Sequence, residues 1–138
     1  MWGALDIPTS GMVAQRIRLE AISANIANKN AILDAEGNYN PYRKRAAEFA
    51  AGDPSAQTPT GQKLGVHVAT ISIDQDALRA IYEPSSPYAD ASGYLMVPDI
   101  NPIVEQVNAM EATRAYEANV MAAEAIKSTM AQALRLLS

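Results

Sequence analysis

The sequence predicts a mainly α protein: long N- and C-terminal helices packed as a coiled-coil-like pair, with a small β-containing insert between them. Three observations lead there. The two ends of the 138-residue chain are long and nearly free of Pro and Gly, whereas most of the 8 Pro and 7 Gly fall in the middle. Aromatics make up only 6% of a chain that is 49% hydrophobic, so much of the apolar content is Ala. Ala buries little surface but favours helix and lets backbones approach closely, which suits helix against helix better than a bulky core. Short runs with strand character lie in the middle. The expected division is a helical domain of residues 1–33 and 99–138, interrupted by an insert of loops and short strands at 34–98.

Residues 9–30 read as the first helix. Thr9 or Ser10 is placed as N-cap after Pro8, and no Pro interrupts until Pro41. On a helical wheel Met12, Leu19, Ile22 and Ile26 share one face, while Ala14, Ile17, Ala21 and Ala24 share a nearly opposite one. An ordinary surface helix carries one apolar stripe. This one carries two and needs partners on both sides.

In the middle, residues 64–73, 78–82 and 94–97 read as strands. Residues 52–61 read as a loop that should accept added Gly and Ser, because lengthening a flexible loop costs only about 0.6 kcal/mol per doubling. Residues 83–87 are extended or turning, since each Pro restricts its predecessor. Tyr82, Tyr88 and Tyr94 recur every six residues. They read as packing for the insert in preference to a recognition surface.

Residues 101–137 read as the second helix, with Asn101 as N-cap and Pro102 at the first helical position. It would run about 54 Å at about 1.5 Å per residue. Its apolar residues, among them Val107, Ala115, Ala118, Ala122, Ala125, Ile126, Met130 and Leu137, spread over more than half the circumference. A polar strip of Gln106, Thr113, Glu117, Glu124, Ser128 and Arg135 fills the remainder. Its 7-and-4 spacing makes an 11-residue repeat, which suits a nearly straight helix.

Composition narrows the function. The net charge of −4 opposes nucleic-acid binding, which draws on a basic excess, and the one basic run is Arg43-Lys44-Arg45. The absence of Cys removes disulfides, thiolate metal sites and Cys nucleophiles. No secretory signal is visible, and no run approaches the roughly 18 apolar residues that span a bilayer. His67, the only histidine, sits between Val66 and Val68 and reads as a half-buried strand residue, with no motif around it that would build a triad or a metal site. Asp74, Asp76, Asp90 and Asp99 read as turn and capping residues. The glycines lack phosphate-loop spacing, so no cofactor is expected. The chain is read as a non-enzyme that works by packing.

The residues expected to pack between subunits are Met12, Ile17, Leu19, Ile22, Asn25, Ile26 and Asn28 on the first helix. On the second they are Val107, Ala115, Tyr116, Ala118, Asn119, Ala122, Ile126, Leu134 and Leu137. Two assemblies would cover such surfaces: an open polymer, or a finite dimer forming a four-helix bundle, as in a soluble helical adaptor or chaperone.

Val13-Ala14-Gln15-Arg16 through Ser23-Ala24-Asn25-Ile26-Ala27-Asn28 resembles the N-terminal signature of the flagellar rod and hook family. Arg114-Ala115-Tyr116-Glu117-Ala118-Asn119 resembles its C-terminal signature. Pro41-Tyr42-Arg43-Lys44-Arg45, Tyr82-Glu83-Pro84-Ser85-Ser86-Pro87, Ala89-Asp90-Ala91-Ser92-Gly93-Tyr94 and Val97-Pro98-Asp99-Ile100-Asn101 resemble its short proximal-rod members. The chain departs from the family pattern at Lys29-Asn30-Ala31, where Thr is common, and at Ala46 and Ala47, where larger strand residues are usual. The resemblance implies a structural subunit of the flagellar proximal rod that polymerises with other copies and other rod proteins and transmits motor torque. It also implies passage through the flagellar type III export apparatus, without a cleaved leader, to a periplasmic rod. Because each helix carries apolar faces that the other alone cannot cover, both are expected to order only on assembly.

Overall fold

The computed structural model describes residues 2–138. A 3-10 turn at Trp2–Leu5 leads into α1 (Asp6–Ala27). Then follow β1 (Arg45–Ala51), α2 (Pro59–Leu64), β2 (Val66–Ile73), β3 (Leu78–Tyr82), β4 (Tyr94–Pro98) and α3 (Pro102–Leu137). Terminal helices with a small antiparallel insert are therefore observed. The insert holds two separate two-stranded sheets, β1–β2 and β3–β4.

The start of α1 differs from expectation. The N-cap position is Leu5, which offers no side-chain bond, and Thr9 and Ser10 lie inside the helix. Their hydroxyls donate back to Leu5 O and Ile7 O, both at 2.7 Å. Pro8 sits in the first turn, where its missing N–H has no intrahelical acceptor to lose. The helix ends at Ala27, earlier than residue 30: Asn28 N–H still bonds Ala24 O (3.0 Å), with its Nδ2 on the same oxygen (2.9 Å), but Lys29 N–H turns to Ile26 O (3.4 Å). At α3 the expected start holds: Asn101 Oδ1 accepts from Ile103 N at 3.0 Å and Pro102 follows it.

Strands β2, β3 and β4 lie where the sequence placed them, within two residues. Strand β1, Arg-Ala-Ala-Glu-Phe-Ala-Ala, was not expected. It pairs with β2 from Arg45↔Ile73 to Ala51↔Val66, with a bulge after Glu48. Helix α2 also emerges from a segment read as loop. Thr58 caps it, accepting from Gly61 N at 3.2 Å and donating its own hydroxyl to Asp6 Oδ2.

Helix α1 lies antiparallel along α3 and buries Ala14, Ala21 and Ile22 with Ala112, Ala123 and Met130. A flank of α1 is covered as well. The β1–β2 ribbon lies on it, with Val66 N donating to Ser10 Oγ at 3.0 Å and Ile17 lining a cleft with Val66 and Val68. The expected face of Ala14, Ile17 and Ala21 thus finds partners within the chain, divided between α3 and the ribbon, whereas Met12, Leu19 and Ile26 of the other face are half-buried. Much of this helix is therefore covered before assembly.

Three close approaches fix the N-terminal end. A Cβ on Gly11 would stand 2.6 Å from Asn119 Oδ1, one on Gly61 2.6 Å from Asp6 Cβ, and one on Gly65 2.7 Å from Gly61 O. Helix α2 is thus wedged against α1 through its buried Gly61 side, while Pro54, Ser55 and Gln57 stand exposed ahead of it. Insertions of Gly and Ser are expected to be tolerated between residues 54 and 57 and to disrupt folding between 59 and 65. Thermal unfolding of the two insertion sets checks this.

In the second sheet Tyr82 and Tyr94 pair across strands, edge to face at 5.4 Å, and Tyr88 stacks on Tyr39 at 5.4 Å. The Tyr39 hydroxyl donates to Met96 O (2.7 Å) and accepts from Met96 N (3.1 Å), sealing the outer edge of β4. At the far end, Ala4 packs by Ala125, Ile126 and Met130, whereas Leu136 and Leu137 are 87% and 85% exposed. Amide hydrogen exchange on the dilute subunit is expected to show protection across residues 6–27 and 105–130 and fast exchange at 131–138. Fast exchange over both helices would restore folding on assembly.

Candidate functional site

Where α1, α3 and the start of β1 meet, a polar cluster sits in an otherwise apolar seam. Asn25 is 1% exposed. Its Oδ1 accepts from Arg45 N (2.9 Å) and from the Tyr42 hydroxyl (2.9 Å). Its Nδ2 donates to Arg45 O (2.8 Å) and to Glu105 Oε2 (3.3 Å). An amide has two donor hydrogens and two acceptor lone pairs, and all four are used. By bonding both the N–H and the C=O of Arg45, Asn25 stands in for a neighbouring strand at the β1 edge.

Glu105 is also 1% exposed. A buried carboxylate needs a countercharge. Lys44 supplies it, with Nζ 3.2 Å from Oε1. The ammonium lies off the hydrogen-bonding direction, so its role is chiefly charge neutralisation. Arg45 lies over the Tyr42 ring at 5.5 Å, and Arg43 donates to Asn40 Oδ1 at 2.6 Å. The one basic run of the sequence is therefore engaged within the fold. His67 is half-buried on β2 with Nδ1 2.7 Å from Gly52 O, a structural contact.

Further along the seam, Arg18 reaches Glu111 at 3.4 Å and Asn119 lies over Gly11. The buried residues of α3 are Glu105, Ala112, Ala123 and Met130, at spacings of 7, 11 and 7. That matches the 11-residue repeat of the polar strip, so the seam runs nearly straight along the helix.

The residues expected to pack between subunits divide into three groups. Ile22 and Asn25 are buried inside the subunit. Met12, Ile17, Leu19, Ile26, Asn28, Ala115, Asn119 and Ile126 are half-buried. Val107, Tyr116, Ala118, Ala122, Leu134 and Leu137 are exposed. On α3 the exposed apolar positions line up. Ile103, Val107, Met110, Ala118, Met121 and Ala125 fall on one stripe by helical periodicity, on the side opposite the buried seam. Ile103 is 71% and Met121 69% exposed.

Sequence reasoning missed Glu105, Gly11, Ala112 and Ala123. A carboxylate in the first turn of a helix reads as a dipole partner in water. The signal that it is buried was its seven-residue distance from Ala112 on the apolar face. Gly11 weakens a helix by its own propensity, and the close approach of Asn119 accounts for it.

The family model described as Flagella basal body rod protein matches residues 5–31, which include α1 and Asn25. The model described as Flagellar basal body rod FlgEFG protein C-terminal matches residues 91–136, which hold β4, Glu105 and the exposed stripe. The flagellar basal-body rod protein FlgC of Salmonella typhimurium is 36% identical over 95% of this chain and 93% of its own length. FlgC of Bacillus subtilis is 30% identical over 96% and 95%, and FlgC of Borreliella burgdorferi is 33% identical over 99% and 97%. The chain belongs to the FlgC family. It is a structural subunit of the flagellar basal-body rod and assembles with other rod proteins. This favours the rod over the finite adaptor dimer. Both matched regions include the paired helices, and Asn25, within the first of them, serves the seam.

Burial raises the Tyr42 hydroxyl above its ordinary value of 10.0; Arg45 opposes the shift and Glu105 adds to it. The folded state thus holds this proton more tightly than the unfolded chain. Its stabilising contribution is complete below pH 10.0 and is lost as pH rises through the folded value. Tyr42→Phe is expected to cost about 0.5–1.5 kcal/mol near neutral pH, the worth of one hydrogen bond. It should also make stability fall less steeply above pH 10.0. Denaturant midpoints on both sides of that pH check it.

Proposed function

We propose that the chain is a non-catalytic, torque-transmitting subunit of the proximal rod, packed against other copies of itself and other rod proteins in the periplasm. The observation that carries this reading is the uncovered stripe of α3. Ile103, Val107, Met110 and Met121 stand in the open on the helix side that neither α1 nor the β1–β2 ribbon reaches. Contiguous exposed apolar surface marks an interaction site. In a rod such a surface meets a different surface of the next subunit, a heterologous contact that does not close on itself.

Within the subunit, α1 and α3 act as a coiled-coil-like pair. The contacts Gly11–Asn119, Arg18–Glu111 and Asn25–Glu105 recur every seven residues along α1, which supports that geometry. Torque passes through such close-packed surfaces because they deform little. The helical part (1–33 with 99–138) carries the load, and the insert (34–98) braces it through β1–β2. No cofactor takes part. Delivery through the flagellar type III export apparatus is what the family resemblance supports. Among the described residues no helix is long and apolar enough to cross a membrane.

Charged substitutions on the stripe test the proposal. Val107→Asp and Met121→Asp point away from the seam in the free subunit, so helicity and expression should stay normal. In the rod each would bury an unpaired charge, a cost of several kcal/mol. The expected phenotype is loss of swimming with a folded, exported subunit. Wild-type swimming by both variants would show that the stripe faces water in the rod. A single concentration-independent dimer mass for the purified chain would instead support the adaptor reading.

A further inference from the structure

We propose that Glu105, held between Asn25 and Lys44, is the register lock of the helix pair: it selects one axial alignment of α1 on α3 among several that the rest of the seam accepts. The seam is built mainly from small side chains, Gly11, Ala14, Ala21, Ala112 and Ala123. Small, chemically alike side chains discriminate poorly between alignments. A shift of one heptad, about 10 Å at about 1.5 Å per residue, would again set apolar against apolar. The insert resists the shift at one place, the Tyr39–Met96 bonds that tie β4 to the segment after α1, and these open if α3 slides.

Polar contacts break this degeneracy. Of the three levels, Arg18–Glu111 is exposed on the Glu111 side (68%) and tolerates separation into water. Asn119 at Gly11 is a steric fit satisfied by its own helix, since Asn119 Nδ2 donates to Ala115 O at 2.9 Å. Only Glu105 is a charge with 1% exposure whose partners, Asn25 Nδ2 and Lys44 Nζ, both lie outside α3. Any slip strands this carboxylate in the seam without its countercharge. The known use of a buried polar residue in paired helices is the same, fixing alignment at some expense of stability. Here alignment matters beyond the subunit: it sets where the stripe of α3 and its free end at Leu134–Leu137 stand relative to the β1–β2 ribbon.

The test uses the full chain, which contains no Cys, so engineered thiols are the only ones. Arg18→Cys with Glu111→Cys reports the observed register through a short bifunctional thiol crosslinker. Arg18→Cys with Ala118→Cys, or with Val104→Cys, reports a slip of one heptad either way. With Glu105 intact, the observed-register pair should dominate. Glu105→Leu leaves Asn25 bonded to Arg45 and releases Lys44 to water. It is expected to keep its helicity while the ratio of observed to slipped crosslinks falls at least tenfold. Glu105→Gln, which can still accept from Asn25 Nδ2, should stay in the observed register. Retention of that register by Glu105→Leu would overturn the proposal and assign alignment to the steric seam. Loss of helicity in Glu105→Leu would overturn it as well, making the cluster a source of stability, and so would slippage in Glu105→Gln.

Discussion

The contact between Asn25 and Glu105 holds the architecture together because it is where three otherwise separate pieces meet. Asn25 belongs to α1, Glu105 to α3, and the backbone of Arg45 opens β1. Around them the seam is mostly Ala. Each Ala contributes little apolar area, so no large side chain specifies how the elements fit. A fully bonded buried amide does so, since an unsatisfied donor or acceptor in the interior costs about 1–3 kcal/mol. Tyr42 and Lys44 complete the cluster from the segment that leads into the insert. Helix pairing and insert docking therefore depend on the same few atoms.

The small residues of the seam have a second consequence. Close helix approach leaves the rest of α3 unencumbered, and its larger apolar residues point away from α1. An ordinary globular protein turns its bulkiest apolar side chains inward. Here Ala and Gly lie inside, while Ile103, Val107, Met110 and Met121 lie outside. That inversion suits a rod subunit, whose main burial occurs between chains. The matched family models fall on these helices and leave most of the insert outside.

The insert shows a recurrent edge device. Asn25 bonds both backbone groups of Arg45 at the edge of β1, and the Tyr39 hydroxyl does the same for Met96 at the edge of β4. Exposed strand edges invite unwanted pairing. Occupying them with side chains blunts two short sheets without adding strands. Neither device was readable beforehand, since Tyr39 and Met96 are 57 residues apart and Asn25 and Arg45 are 20 apart.

Spacing and local chemistry were enough to determine the long terminal helices, the Asn101–Pro102 start of α3 and strands β2 to β4. All of these are properties of neighbouring residues: a cap, a fixed φ, a period. The resemblance of the signatures likewise led to the rod family. Strand β1 escaped because Arg-Ala-Ala-Glu-Phe-Ala-Ala favours helix by propensity, and only pairing with β2 makes it a strand. Helix α2 escaped because Gly61 and Pro59 look like loop, although Gly61 is needed where α2 presses on Asp6. Only the tertiary structure decided which partner covers each face. A flank of α1 meets its own β1–β2 ribbon, the stripe of α3 meets nothing in the subunit, and a first-turn carboxylate becomes the buried charge of the seam. Coverage is a long-range property: the partners of Glu105 lie 80 and 61 residues away, at Asn25 and Lys44, and no local pattern encodes that meeting.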